Sequence, residues 1–440
     1  MTLFLRRSRK ESVPDSHKFT SDFNSVIFIV IWNSLGFFFV EFIMVYVISQ
    51  VISGSGIQLG LFPSFLMLGG LFVSLFVGYL TDHISKKKLV MFGSFGRGIS
   101  YFGLYFSIIT KSLFGIYTSS FLLGAGAMIF WVPLDTLISE KSSKYHRSTA
   151  FGRRRFAMGI GITGGAIFGL AIFGIASFLV PRNAYFLYIA IPLFGFANFY
   201  AGIRFSRTVD ESKKFIHPDV KNDQIILSNQ ELRLENVTVR NSGKFNRRIF
   251  LFGVILLFST LVLAATNVGI YRPFILPYIL ENVDVNPNFV AWIYLPTSVI
   301  GTLIAPKLGT AADKINHFLG ISMTSFIGGI ITWLIISSAN LWVFLILLII
   351  DNTIMLTSGF VLINILSRVS TKHRGKIFGT VTTIESLGMI IGPILGGLLW
   401  DTLSKQMPFI ISILVEWSLI PFFLIGIWLL KPGMIESIEK

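Results

Sequence analysis

The chain has 440 residues, of which 53% are hydrophobic and only 13% are charged, and it contains no cysteine. Soluble domains average about 25% charged residues, so this composition excludes an ordinary soluble protein. The lack of cysteine excludes disulfide frameworks, thiolate metal sites and cysteine nucleophiles. The formal net charge of +15 must be explained by where the basic residues lie.

Apolar runs recur along the whole chain, and each is long enough to cross a bilayer core about 30 Å thick as a helix. Membrane barrels instead show alternating strands of about ten residues. We therefore predict an all-α membrane protein with 12 transmembrane helices in two pseudo-symmetric six-helix bundles. The predicted spans, numbered 1 to 12 in chain order, are 24–50, 58–81, 88–110, 112–139, 151–179, 184–206, 248–280, 287–311, 317–338, 341–367, 376–403 and 407–430.

A polar stretch separates the first six spans from the last six. The predicted organisation is a cytoplasmic tail at 1–23, an N-terminal bundle at 24–206, a cytoplasmic linker loop at 207–247, a C-terminal bundle at 248–430 and a cytoplasmic tail at 431–440.

The basic residues lie almost entirely on one side of the predicted membrane. Of the 37 Lys and Arg, only Lys111, Arg182 and Lys405 fall on the side opposite the termini, and Arg97 and Arg272 fall deep within spans. Basic loops stay in the cytoplasm, so we predict a multi-pass protein of the cell membrane with both termini cytoplasmic. The net charge then reflects topology, and no nucleic-acid partner is expected.

An internal repeat relates the two halves. Residues 78–84 read Gly-Tyr-Leu-Thr-Asp-His-Ile, and residues 309–315 read Gly-Thr-Ala-Ala-Asp-Lys-Ile, so that Asp82 and Asp313 occupy the same place in the two copies. Both segments follow the second span of their half. Glycines of spans 5 and 11 repeat as well, with Gly165 aligned to Gly392. The repeat predicts two halves of parallel topology.

The segment from Gly78 to Lys88 resembles the signature loop between spans 2 and 3 of the major facilitator superfamily, Gly-x-x-x-Asp-basic-x-Gly-x-basic-basic. It departs from that pattern at His83 and Ser85, where a larger basic residue and a glycine are usual. The resemblance extends from about residue 24 to 430, because span number, half length and both loop copies agree with it.

The resemblance implies two halves that rock against each other around a central cavity. It also implies that the signature loops form a latch that closes the cytoplasmic side, with an aspartate accepting hydrogen bonds from a neighbouring helix N-terminus. The predicted latch residues are Gly78, Asp82, Lys87, Gly309, Asp313 and Lys314.

Two ionisable residues occupy equivalent depths in the two halves. Glu41 of span 1 and Arg272 of span 7 have the same separation along the chain as Asp82 and Asp313 of the loop copies. In the family that the chain resembles, spans 1 and 7 face each other. A permanent structural ion pair and a dynamic role in gating or coupling both remain open. We expect Glu41 to be the leading proton carrier and Glu385 of span 11 to be the second.

Charged and polar groups inside a membrane are costly and mark functional positions. Further candidates for gating or substrate contact are Asn33, Trp131, Asp135, Asn267, Tyr271 and Asp351. Arg97 and Glu416 are interpreted as structural, because spans 3 and 12 are peripheral in the family. One arginine of 153–155 is expected to pair with Asp135 or Glu140.

The sequence contains no nucleotide-binding loop, no metal-ligand cluster and no nucleophile with a nearby base, so we expect neither an enzyme nor a cofactor. We predict a monomeric, proton-coupled secondary transporter, with export of a small organic solute favoured. The alternatives are proton-coupled uptake of an organic anion or sugar, and a non-transporting sensor or lipid-handling protein.

Overall fold

The computed structural model describes residues 18–143, 146–181, 183–215, 247–283, 286–292, 294–297, 300, 304, 317–369 and 374–430. Within these ranges the chain is dominated by helices, nine of which are long and apolar enough to cross a membrane. This confirms the predicted all-α membrane fold. The signature-loop copy with Gly309, Asp313 and Lys314, and most of the 207–247 loop, lie outside the described residues.

Apart from span 8, the described helices match the predicted spans to within a few residues. In the first half they are Phe23–Ser34 with Phe37–Tyr46 and a π-helical turn at Val47–Val51, then Gly56–His83, Lys86–Ile109, Leu113–Glu140, Arg147–Leu179, and Ala184–Leu187 with Ala190–Thr208. In the second half they are Arg247–Tyr271 with a 3₁₀ turn at Arg272–Phe274 and Ile275–Asn282, then His317–Ser337, Leu341–Val369, Arg374–Thr402 and Met407–Leu430. Of span 8, residues 287–292 and 294–297 are described as helical.

Local sequence fixes where several helices begin. Ser55 and Gln58 form a capping box at the start of span 2, in which each side chain accepts a hydrogen bond from the other residue's backbone N–H. Ser85 and Ser112 accept hydrogen bonds from backbone N–H groups at the start of spans 3 and 4. Each cap satisfies a donor that the helix itself leaves unpaired.

Close glycine packing follows the same repeat as the sequence. A Cβ atom on Gly165 of span 5 would overlap the carbonyl oxygen of Leu35 in span 1. A Cβ atom on Gly392 of span 11 would overlap the carbonyl oxygen of Thr266 in span 7. Leu35 and Thr266 occupy equivalent places in the sequence repeat, so span 5 packs on span 1 as span 11 packs on span 7. Only glycine permits such close backbone approach.

The two halves meet on the side of the bundle away from the termini. There, span 2 packs on span 11, and the Ser64 hydroxyl donates a hydrogen bond to the Ile390 carbonyl oxygen at 2.7 Å. A Cβ atom on Gly60 would overlap the Pro393 carbonyl oxygen. One buried apolar cluster includes residues of both halves, among them Phe39.

On the side of the termini, the described core divides into two clusters, one for each half. The end of span 2 on this side is exposed at Gly78, Tyr79 and Asp82. The halves are therefore packed together at one end of the described structure, while span 2 is uncovered at the other.

Candidate functional site

A cavity of about 130 Å³ lies where the two halves come together. Span 1 contributes Phe38 and Glu41, span 7 contributes Arg272, and span 10 contributes Asp351 and Asn352. Its remaining lining includes Phe42, Val45, Tyr271, Pro273, Ile275, Leu276, Tyr294, Thr297, Leu348 and Met355. A cavity on which charged and polar groups of both halves converge is a candidate coupling site.

Glu41 and Arg272 face this cavity from opposite halves. Both side chains are exposed to it, and Glu41 attracts Arg272 electrostatically. Among the described residues the two groups form no ion pair within 4.0 Å. The Arg272 Nη1 atom instead lies 3.5 Å from the Met355 sulfur. The structure thus brings the predicted pair to one cavity without joining it.

Pro273 explains why the α-helix of span 7 is interrupted at Arg272. The α-helix of span 7 ends at Tyr271, and a 3₁₀ turn from Arg272 to Phe274 precedes the next helical segment. Pro273 has no backbone N–H and clashes with the preceding turn, so an α-helix cannot continue regularly through it. The turn places Arg272 at the bend of the span.

A second cavity of about 350 Å³ adjoins the first and is lined by residues of the second half. Tyr271, Asp351 and Met355 line both cavities. The Tyr271 hydroxyl donates a long hydrogen bond of 3.4 Å to Asp351 Oδ2. The structure therefore brings the predicted residues Tyr271 and Asp351 together, on the wall between the two cavities.

The second cavity, called the acidic cavity below, also contains Asn267, Glu385 and Glu416. Glu416 was interpreted from the sequence as structural, but its side chain lines this cavity. A Cβ atom on Gly328 of span 9 would lie 2.6 Å from Glu416 Oε1, so glycine leaves room for the carboxylate. The sequence shows that Glu416 is an acidic residue within a span, but it does not show which side of the helix faces the cavity.

Asn33 lies in a buried network rather than in either cavity described above. Span 1 is interrupted between Ser34 and Phe37, and the fully buried Arg97 donates a hydrogen bond of 2.6 Å from Nη2 to the Asn33 carbonyl oxygen. The Asn33 side chain donates to Ser94 Oγ at 3.1 Å. Arg97 also stacks over the Phe37 ring at 4.6 Å. Its charge is thus held by carbonyl and aromatic groups, as expected for a structural residue.

Trp131 and Asp135 form a separate cluster with Arg154. Arg154 Nε lies 2.6 Å from Asp135 Oδ1, and its guanidinium lies 4.5 Å from the centre of the Trp131 ring. The expected pairing of one arginine of 153–155 with Asp135 is confirmed. This cluster lies on the side of the termini, away from the Glu41 cavity.

Two of the described latch residues, Gly78 and Asp82, are uncovered. Gly78 has no atom near its Cβ position, Asp82 is exposed, and Asp82 forms no hydrogen bond or ion pair within the described ranges. The helix N-terminus next to it is capped instead by Glu211, which accepts hydrogen bonds from Ser85 Oγ at 2.5 Å and from the backbone N–H of Lys86 at 2.8 Å. A bond to the Lys87 N–H follows at 3.3 Å.

The electrostatics of this cap favour an ionised Glu211. Partial burial would raise the pKa of the Glu211 carboxyl, but hydrogen bonds from Ser85 and from the N–H groups of Lys86 and Lys87 outweigh it. Its pKa therefore lies below the ordinary value. Sequence reasoning missed Glu211, because a glutamate in a polar loop carries no sign of the helix it will cap.

Comparison with known proteins identifies the family of the chain. The family model of the Major Facilitator Superfamily matches residues 26–263 and 257–434. A curated relative, the class H tetracycline resistance protein of Pasteurella multocida, is 34% identical over 165 residues, which cover 36% of this chain and 40% of that protein. The match thus spans well under half of the relative's length.

Solved structures share the fold at low sequence identity. The nucleoside transporter NupG is similar with a TM-score of 0.66 at 12% identity, covering 92% of this chain and 99% of that one. A bacterial homologue of the human lysosomal transporter Spinster, in an inward-facing and unoccupied conformation, gives a TM-score of 0.67 at 13% identity, covering 93% and 96%. From the family match over most of its length, the chain belongs to the major facilitator superfamily of membrane transporters.

Proposed function

We propose that the chain exports a small organic solute by proton-coupled alternating access. The observation that carries this proposal is the cavity in which Glu41 of one half and Arg272 and Asp351 of the other face the same space. A charged group at membrane depth costs at least ~2.5 to 3.5 kcal/mol. Three such groups on one cavity between two moving halves are best explained by a role in the transport cycle.

The packing of the halves supports a defined state of that cycle. We propose that residues 24–206 and 248–430 move as the two halves and that both termini are cytoplasmic. The contacts between spans 2 and 11 then close the outer side, and the uncovered Gly78 and Asp82 mark an open cytoplasmic side. In this inward-facing state the proposed latch is released.

The proposed coupling between proton binding and movement of the halves depends on the distance between Glu41 and Arg272. A nearby cation favours the ionised form of a carboxylate, whereas desolvation favours the protonated form. Movement of Arg272 relative to Glu41 therefore links proton binding to the position of the halves. We propose Glu41 as the leading proton carrier, with Glu385 second, and Arg272 with Asp351 as the groups that respond to it.

Export is proposed over uptake because the chain resembles drug exporters in length and loop pattern. The 34% identity to a tetracycline resistance protein supports the same direction. The test is solute flux in proteoliposomes with an imposed pH gradient, over chemically diverse solutes. We expect accumulation of at least one solute that collapses when the gradient is dissipated. Equal flux with and without the gradient for every transported solute would overturn proton coupling.

Uptake of an organic anion is the second candidate, and one observation favours it. The Arg272 side chain is exposed to the cavity and forms no ion pair in the described part of the chain. A guanidinium without a partner carboxylate suits a carboxylate or phosphate ligand. The same flux assay separates the two, because the symporter would accumulate an anion in the direction of proton movement.

A further inference from the structure

The acidic cavity combines three carboxylates with a buried, unpaired amide oxygen. Asp351, Glu385 and Glu416 line it from spans 10, 11 and 12. The Asn267 side chain also lines it, is only 4% exposed, and leaves its Oδ1 atom without a hydrogen-bond partner. A buried acceptor without a donor costs about 1 to 3 kcal/mol, so a missing donor is the expected explanation.

The charged groups that line this cavity are all carboxylates. These three carboxylates and the Asn267 amide offer oxygen atoms that accept hydrogen bonds, and the hydroxyls of Tyr271 and two serines complete the polar lining. In the described residues, Glu385 and Glu416 have neither a hydrogen bond nor an ion pair, and Asp351 is bonded by the Tyr271 hydroxyl. The nearby cation, Arg272, lines the adjoining cavity and attracts Asp351 from there. In their ionised form these carboxylates would repel an anionic ligand.

The dimensions point to an organic molecule rather than a bare metal ion. The cavity volume is about 350 Å³, within the range of small-molecule sites. No group of three His, Cys, Asp or Glu side chains in the described ranges is close enough to hold a metal ion. The walls between the carboxylates are apolar and include Leu261, Leu419 and Phe423. A molecule with an apolar ring system and a cationic group would match both the apolar side chains and the carboxylates of the lining.

We propose that the acidic cavity binds an organic cation with N–H donors, a protonated amine on an apolar ring system. Its ammonium donates to Asn267 Oδ1 and to the carboxylates of Glu385 and Glu416, and its rings pack on Leu419 and Phe423. The inference rests on the proposed function in one respect, since the bound cation is then the exported solute.

Three probes of nearly equal shape test the charge requirement on the unaltered protein. They are 2-(1-naphthyl)ethylamine, which is cationic at neutral pH, the neutral 2-(1-naphthyl)ethanol, and the anion 1-naphthylacetate. Titration calorimetry on the purified full chain in detergent measures each Kd. We expect the amine to bind at least about tenfold more tightly than the alcohol, because hydrogen bonds to charged groups are the stronger ones. Equal Kd values for amine and alcohol, or tighter binding of the anion, would overturn the proposal.

Variants assign the binding to this cavity. Glu385→Gln, Glu416→Gln and Asn267→Leu should each weaken amine binding about tenfold or more, whereas Asn267→Asp should keep it because an acceptor remains. The control is Glu281→Gln, which removes a carboxylate that pairs with Lys405 outside the cavity. Monodisperse elution confirms that each variant is folded. Unchanged amine affinity in folded Glu385→Gln and Glu416→Gln would contradict the site.

Failure of this inference differs from failure of the proposed function. If the amine does not bind but another solute is accumulated by a pH gradient, the cation site is wrong and proton-coupled transport stands. If the amine binds as expected but no solute responds to the gradient, the site stands and the coupling is wrong.

Discussion

The carboxylate of Asp401 accepts a hydrogen bond from the backbone N–H of Gly56 at 2.6 Å. A second bond, from the Ile57 N–H, has a length of 3.0 Å. Asp401 ends span 11 in the second half, and Gly56 begins span 2 in the first. An anion at a helix N-terminus is favoured by the unpaired N–H groups and the helix dipole. The bond therefore joins the two halves on the side away from the termini.

Loss of this bond should favour opening of the outer side. We expect Asp401→Asn to raise the labelling rate of a cysteine placed at Ser64, which is buried where spans 2 and 11 meet, by about tenfold for one lost charge-assisted hydrogen bond. Labelling with a membrane-impermeant maleimide in intact cells measures this, and the chain has no native cysteine to interfere. Asp401→Glu is the matched control. The same labelling rate in both variants would show that Asp401 does not hold the outer side closed.

The signature-loop aspartates should act at the opposite side. Asp82 is exposed and unbonded in the described part of the structure, which we propose to be inward-facing, so its bond is expected only when the cytoplasmic side closes. Asp82→Asn, and Asp313→Asn in the second copy, should lower kcat severalfold with little change in KM. Initial-rate flux measures both constants. Asp210→Asn, an exposed carboxylate on the same side, is the control. Wild-type rates in both latch variants would end the latch interpretation.

A buried lysine stabilises the end of the first half on the side of the termini. Lys141 is fully buried, and its Nζ atom donates to Asp22 Oδ2 at 2.7 Å and to the Asp210 carbonyl oxygen at 2.6 Å. Removing one partner of a buried ion pair commonly costs about 3 to 5 kcal/mol. We expect Asp22→Asn to lower the thermal unfolding temperature clearly, and the double variant Asp22→Asn with Lys141→Met to recover part of the loss.

The pH dependence of this pair has a definite sign. Burial would raise the pKa of Asp22, but hydrogen bonds from Lys141, Thr20 and the Asp210 N–H lower it below the ordinary value of 3.8. The stabilisation by Asp22 is therefore present above about pH 4 and is lost as the pH falls through the lowered pKa. Tryptophan-monitored unfolding should show the gap between wild type and Asp22→Asn narrowing below about pH 4. A constant gap down to pH 3 would contradict this role.

Much of the fold could be predicted, because the length and position of each apolar run show which residues lie within the membrane. The start and end of span 10, for example, follow from an apolar run of fixed length. The direction in which a side chain faces could not be predicted, because the rotation of a helix about its axis is set by packing against neighbouring helices. Asn33 therefore contacts Arg97 and lines neither cavity. Glu416, which the sequence analysis interprets as structural, lines the acidic cavity. The break in span 1 was missed because Leu35 and Gly36 carry no proline signal.

The Glu41 and Arg272 pair should show energetic coupling. The two groups share a cavity and attract each other, so neutralising one leaves the other without its partner charge. We expect Glu41→Ala and Arg272→Ala each to reduce transport more severely than the double variant. Their coupling energy should exceed ~0.5 kcal/mol, the limit for independent sites. A double-mutant cycle on flux rates measures it, and purely additive losses would separate the two residues functionally.

The most direct test of proton-coupled transport is made with Glu41→Gln in proteoliposomes. With a solute that the wild type accumulates under an imposed pH gradient, the variant should lose gradient-driven accumulation and keep solute exchange across the membrane. Glutamine preserves the shape and removes the titrating group, and Glu281→Gln should behave as wild type. Undiminished gradient-driven accumulation by Glu41→Gln would contradict the role of Glu41 as the leading proton carrier.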